Sequence, residues 1–239
     1  MTVTLKPGWS KPSTILFASG FPPEERTFAF ALADAAGLGA DLIIFHAYDD
    51  SGLEASKVST INGHGYATAR AQKRRLEPLA QRARQIGIHC KIVVRPGLAA
   101  DQILNFLSEQ KIDRVVMGAH SPGPVSKLLV GAVTECALRN ANVPVCIVGP
   151  NVVENTFRNG VNRKILCDVS KREVSTVVAN FGVELAAEHK ASLILQQVIP
   201  PQERAAVLAD LTIRQIEAEL PTLVPAKLLR KVRVQTASP

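Results

Sequence analysis

Short apolar runs that alternate with longer stretches of helical period constrain this chain more than any other feature. The runs are Thr14–Ala18, Asp41–Ala47, His89–Val94, Arg114–Gly118 and Val143–Val148. Between them lie helical patterns at about Glu24–Gly37, Tyr66–Ile86, Ala100–Glu109 and Ala132–Asn140, the last marked by Val133, Cys136, Ala137 and Asn140 on one spacing. Gly39, Gly87 and the Asn142–Pro144 region end helices where strands must begin. Strands that are apolar along their whole length are buried on both faces, and strands joined through helices run parallel. The expected fold is α/β, an open parallel five-stranded sheet in the order 3-2-1-4-5 with helices on both faces. Hydrophobic residues make up 46% of the chain and aromatics 5%, so Val, Ile, Leu and Ala must fill the core.

At 239 residues the chain is long enough for one such domain and part of another. The pattern restarts after a polar linker, residues 151–162. Arg163–Cys167 copies the opening strand, Glu173–Glu188 the first helix and Ala191–Val198 the second strand, with Glu203–Leu220 and Lys231–Gln235 as the next helix and strand. Leu42 follows Ile15 by 27 positions and Leu193 follows Ile165 by 28, which is the register of an internal repeat. The expected domains are residues 1–150, a complete α/β unit, and 163–239, a shortened second copy. That copy leaves its first strand without a parallel neighbour, and an apolar edge of this kind has to be covered by the linker, the first domain or another subunit.

The stretch Val115–Val148 carries the chemistry. An apolar run ends at Gly118, a turn rich in Gly, Ser and Pro follows, and Gly131 opens a helix that feeds the next strand. A strand, a backbone-lined loop and a helix start together hold an anion in many α/β folds. Catalysis has little support. No phosphate loop of the GKS or GKT type and no HExxH motif occurs, and His120 is the sole nearby candidate base. Cys90, Cys136, Cys146 and Cys167 form no CxxC pair and read as small core residues, with no metal expected. The apolar runs are too short to span a membrane and the N-terminus has no signal-peptide pattern, so a cytoplasmic protein is expected.

The formal net charge is +7, and Tyr66–Ile86 holds Arg70, Lys73, Arg74, Arg75, Arg82 and Arg84 against Glu77. Without interleaved aromatics or a nucleic-acid-binding signature, this helix reads first as a solvated outer face, and second as a surface for nucleic acid or an acidic partner.

Four segments together resemble the universal stress protein family. ILFASGFPPEERTFAFALADAA at Ile15–Ala36 resembles its first strand and helix, and LIIFHAY its second strand. VVRPGLAADQIL at Val93–Leu104 resembles its third strand, glycine turn and following helix, and MGAHSPGPVSKLLVGAVTECALRNANVPV at Met117–Val145 is the strongest match. The resemblance implies a tandem arrangement with a shortened second repeat. It also implies an adenine-nucleotide site at Ala47, Met117, Gly118, Gly131, Ala132 and Val133, with either ATP or no cofactor expected there, and His120, Ser121 and Lys127 of this chain read as compensating contacts to an anion. In members that bind ATP the loop runs Gly, two residues, Gly, nine residues, Gly, then Ser or Thr. Here Ser121 replaces the second glycine, Ala132 the hydroxyl residue, and Gly20 an aspartate near the end of the first strand. Pro122 and Pro124 remove amide donors from the loop. Members commonly pair through the last strand, so a homodimer through Pro144–Val148 is expected. The combined expectation is a non-catalytic stress-response protein with a divergent nucleotide-binding platform. The alternatives are a hydrolase of nucleotides or phosphorylated metabolites, and an interaction module using the basic surface.

Overall fold

The computed structural model describes residues 11–48, 63–119, 131–152, 164–169, 175–196, 218 and 234–237, with the backbone alone at 63–68 and 234–237. The chain divides into two compact units, one of residues 12–159 and the other of residues 160–239 with 1–11.

In the first unit the elements run β1 (Thr14–Ala18), α1 (Glu25–Leu38), β2 (Asp41–Tyr48), α2 (Gly63–Gln85), β3 (Cys90–Pro96), α3 (Ala99–Glu109), β4 (Arg114–Gly118), α4 (Ala132–Asn140) and β5 (Val145–Val148). They form one sheet in the order β3-β2-β1-β4-β5, the expected topology, with every described pairing parallel. Side chains alternate between the faces. Ile15 and Phe17 of β1 pack with Leu42 and Ile44 of β2 beneath Phe28, Ala31 and Ala35 of α1 and Leu76, Ala80 and Ala83 of α2. Leu16 and Ala18 point the other way, joining Ile43, Phe45, Val115 and Met117 beneath Ile103, Phe106 and Leu107 of α3 and Ala137 of α4. The central strands β1, β2 and β4 are therefore buried on both faces, which explains their near-continuous apolar sequences.

Small departures from the sequence expectations have local causes. β5 starts at Val145 rather than Val143, because Pro144 has no N–H to donate, although its carbonyl still accepts from Val115 N at 2.9 Å. β3 begins at Cys90 rather than His89 and runs on to Pro96, opposite Tyr48; as the edge strand it tolerates a proline. In α4 the buried positions are Thr134 and Ala137, whereas Asn140 is exposed. The α1 terminus is closed by Gly39 at φ 64°, whose N–H reaches the carbonyls of Ala35 and Ala36.

The basic helix α2 is only partly a solvated face. Arg82 donates to Glu25 of α1 at 2.9 Å, and Arg84 bonds Glu77 at 2.6 Å and the Cys90 carbonyl at 3.0 Å. The Arg75 guanidinium lies 3.5 Å from the centre of the Phe21 ring. Arg70, Lys73 and Arg74 are exposed.

Four elements of the second unit are described, β6 (Lys164–Asp168), α5 (Ser175–Glu188), β7 (Ser192–Gln196) and, by its backbone, β8 (Val234–Ala237). The strands form a parallel sheet in the order β6-β7-β8. Ile165 pairs with Leu193 as Ile15 pairs with Leu42. Cys167, Ala179, Val183, Ala186, Leu193 and Leu195 form its core, and Gly182 leaves room for the Cys167 sulfur and Leu193 against α5. The expected helix Glu203–Leu220 lies almost entirely outside the described residues.

One ion pair is buried inside the first unit. Arg114, at the start of β4, places Nη1 at 3.0 and 2.8 Å from the two carboxylate oxygens of Asp34 in α1, with side chains 3% and 1% exposed. Removing one partner strands a charge in the core, which costs about 3–5 kcal/mol, whereas replacing both with apolar groups of similar volume costs far less. Urea denaturation should show this large loss in Arg114→Met and recovery of most of it in Asp34→Leu/Arg114→Met.

Candidate functional site

β1 is the strand at which the sheet's connections change direction. The crossover through α1 leads to β2 on one side, and β4 lies on the other. The chain therefore diverges beyond the carboxyl ends of β1 and β4 and leaves a crevice there, the position at which open α/β sheets take ligands. Such a crevice is present, with a volume of about 490 Å³. Its apolar walls come from Phe45 and Ala47 of β2, Met117 of β4, Ile103 of α3 and Val133 of α4, and its rim from the Ser19–Glu24 segment that links β1 to α1. The chain is turned into α3 by Gly97 at φ 114°, a conformation that favours glycine, which brings Ala99 and Ile103 to the crevice.

Among the site residues expected from the sequence, Ala47, Met117, Gly118 and Val133 lie on the crevice. Gly131 caps α4, with its N–H 3.0 Å from the Ala119 carbonyl, and Ala132 is exposed at the helix start. Ala47 and Val133 are half-buried, and Met117 is buried. His120, Ser121 and Lys127 lie outside the described residues. Neither glycine of the frame is there for an unusual backbone angle. Gly131 has φ −63°, and Gly118 is not among the positive-φ glycines. Gly118 serves close approach instead. A Cβ there would collide with the Oε2 atom of Glu24 and stand 3.3 Å from the Thr27 hydroxyl.

Three lining residues escaped the sequence motif. Glu24, the residue before α1, turns Oε2 toward Gly118 and accepts from the Thr27 hydroxyl at 2.8 Å. The hydroxyl of Thr134 donates to the Gly118 carbonyl at 3.0 Å, so α4 is tied to the end of β4 two residues past the expected hydroxyl position. Spacing could pair Glu24 with Thr27, since residues three apart at a helix start face each other, but it does not bring either of them to Gly118. His46, on the opposite face of β2, is 5% exposed and places Nδ1 2.9 Å from the Ser19 carbonyl, which fixes the loop after β1 to β2. Phe21 packs edge-on against that imidazole. No group of three or more His, Cys, Asp or Glu residues suited to a metal ion occurs among the described residues. Burial pushes the Cys90 thiol up to about 11, so it is neutral and unreactive at ordinary pH.

The model of the universal stress protein family matches residues 12–149, more than half of the chain. This chain belongs to the universal stress protein family. Universal stress protein MJ0577 of Methanocaldococcus jannaschii is 25% identical over 76 residues, which is 32% of this chain and 47% of that protein. Universal stress protein MJ0531 of the same organism is 29% identical over 73 residues, 30% of this chain and 43% of that protein. The alignments thus span a little under half the length of these curated relatives. The crystal structure of a universal stress protein from Archaeoglobus fulgidus DSM 4304 is similar in fold, with a TM-score of 0.58 at 17% identity, covering 95% of this chain and 77% of that one. In the described part of this universal stress protein no helix is long and apolar enough to cross a membrane.

The Gly118 contact makes a direct prediction. In Gly118→Ala the added methyl group displaces the flexible Glu24 carboxylate and breaks its bond to Thr27, a loss of about 1 kcal/mol. The same substitution made in a Glu24→Ala background should cost much less, and a denaturation double-mutant cycle measures the difference.

Proposed function

We propose that this chain is a non-catalytic stress-response protein whose first α/β unit binds an adenine nucleotide in the crevice beyond β1 and β4. The observation that carries this proposal is the crevice itself. Phe45, Ala47, Met117, Ile103 and Val133 offer apolar walls to a base, and Gly118 and the α4 start face the same space from the strand-loop-helix that resembles the family's nucleotide loop. Ligand pockets of this size are commonly apolar with a few fixed polar groups. Isothermal calorimetry with ATP, ADP and AMP at up to millimolar concentration should give saturable heat at one site per chain for at least one of them. That heat should disappear in Ala47→Phe, which fills the crevice; no saturable heat from any of the three overturns the proposal.

The proposal extends to the organisation of the chain. Residues 1–150 form a universal-stress-protein-like domain, 151–162 a linker and 163–239 a shortened second repeat. The support is that β6 and β7 pair in the register of β1 and β2, and that β6-β7-β8 repeats the neighbour order of β1-β2-β3. The first domain associates as a homodimer through Pro144–Val148. In its support, β5 is the last strand of the sheet, paired with β4 on one side, and an edge strand of this kind is a template for a second copy. Multi-angle light scattering should give twice the chain mass, and Ile147→Lys or Cys146→Pro should give the single mass; a monomer at every concentration refutes the pairing.

A further inference from the structure

The hydrogen-bonding character of the crevice selects among the ligands that its shape admits. Its described lining contains three side-chain hydroxyls, those of Ser19, Thr27 and Thr134. Each donates its proton inside the protein. Ser19 donates to the Gly20 carbonyl at 2.8 Å, Thr27 to Glu24 at 2.8 Å and Thr134 to the Gly118 carbonyl at 3.0 Å. Among the described lining residues one side chain is ionisable, Glu24, and it is an acid. Glu24 is exposed on the rim, but Gly118 provides the space that lets its Oε2 turn inward. A carboxylate has about four acceptor positions, of which Thr27 takes one.

The Glu24 carboxylate therefore presents acceptors and a negative charge to a ligand, and it stands against the backbone amides that the start of α4 offers to an anion. A phosphate oxygen requires donors or cations, and an anion next to Glu24 meets like charge in a partly desolvated cleft. A hydroxyl or amine on an uncharged ring system meets an ionised acceptor. Building on the adenine-nucleotide proposal above, we propose that Glu24 is the specificity-determining residue of this crevice, and that it selects an unphosphorylated nucleoside over the corresponding triphosphate by accepting hydrogen bonds from ligand hydroxyl or amine groups. The missing aspartate at Gly20 and the carboxylate supplied at Glu24 are then linked, since the acceptor enters the crevice from the start of α1 instead of from the end of β1.

The test is calorimetric titration of the full chain with adenosine, AMP and ATP, for the unmodified protein and for Glu24→Gln. Glutamine keeps the size and can still accept from Thr27, but it lacks the charge. In the unmodified protein adenosine should bind at least about tenfold more tightly than ATP, the order expected for one charge-assisted hydrogen bond gained or one repulsion avoided. Raising the salt concentration should narrow that ratio by screening the repulsion at the rim. In Glu24→Gln the ratio should fall toward one, through weaker adenosine binding, stronger ATP binding or both. The comparison within the unmodified protein does not depend on how the variant folds. ATP binding tighter than adenosine, or an unchanged ratio in the variant, overturns the selection while leaving a nucleotide site in place. No saturable binding of any of the three overturns both the selection and the nucleotide site.

Discussion

Everything in the first unit depends on β1 being hydrogen-bonded on both sides. Its neighbours are β2 on one side and β4 on the other, both parallel to it, and this single placement determines which connections must part. The strand is buried on both faces, with Ile15, Leu16 and Phe17 at 1% exposure or less, so it cannot move toward an edge without opening two cores. The Asp34–Arg114 pair then locks α1 to the start of β4, and the loop after β1 is held to β2 through Ser19, whose N–H bonds the Phe45 carbonyl and whose carbonyl faces His46. A crevice framed by these three strands is a consequence of the topology, before any side chain gives it chemistry.

What the side chains add is acceptor character. The loop segment from Ser19 to Glu24, the Thr27 hydroxyl and the start of α4 converge on Gly118, and the hydroxyls among them are already committed to protein acceptors. The glycine at this position gives room to Glu24 and Thr27, and its backbone is not left-handed.

The sheet was legible in the sequence because burial on both faces writes itself as uninterrupted Val, Ile and Leu. β1 and β4 coincide with their apolar runs at both ends, and α4 with its helical pattern. The edges were less legible. β5 loses its first two expected residues to the missing N–H of Pro144, a backbone property that hydrophobicity does not encode, and β3 extends because its ladder with Tyr48 outlasts the apolar run. At the crevice, Ala47 and Met117 were legible through the family resemblance of the strands that carry them. Glu24 could not be found that way. It reads as an ordinary acid before a helix, and only the packing of α1 over the end of β4 places it against Gly118. The cations of α2 were legible as a charged face but not as structural groups, since Arg75, Arg82 and Arg84 find Phe21, Glu25 and Cys90 only after the chain has folded.

The central claim is that an adenine-bearing ligand sits beyond the carboxyl ends of β1 and β4 with Glu24 facing its donors. A crystal structure of the full chain grown with adenosine tests this directly. The account predicts electron density for the base against Phe45, Ala47, Met117 and Val133, and a hydroxyl or amine of the ligand within about 3 Å of the Glu24 carboxylate. Density for adenosine elsewhere on the chain, or in the crevice with Glu24 turned away to solvent, would contradict it.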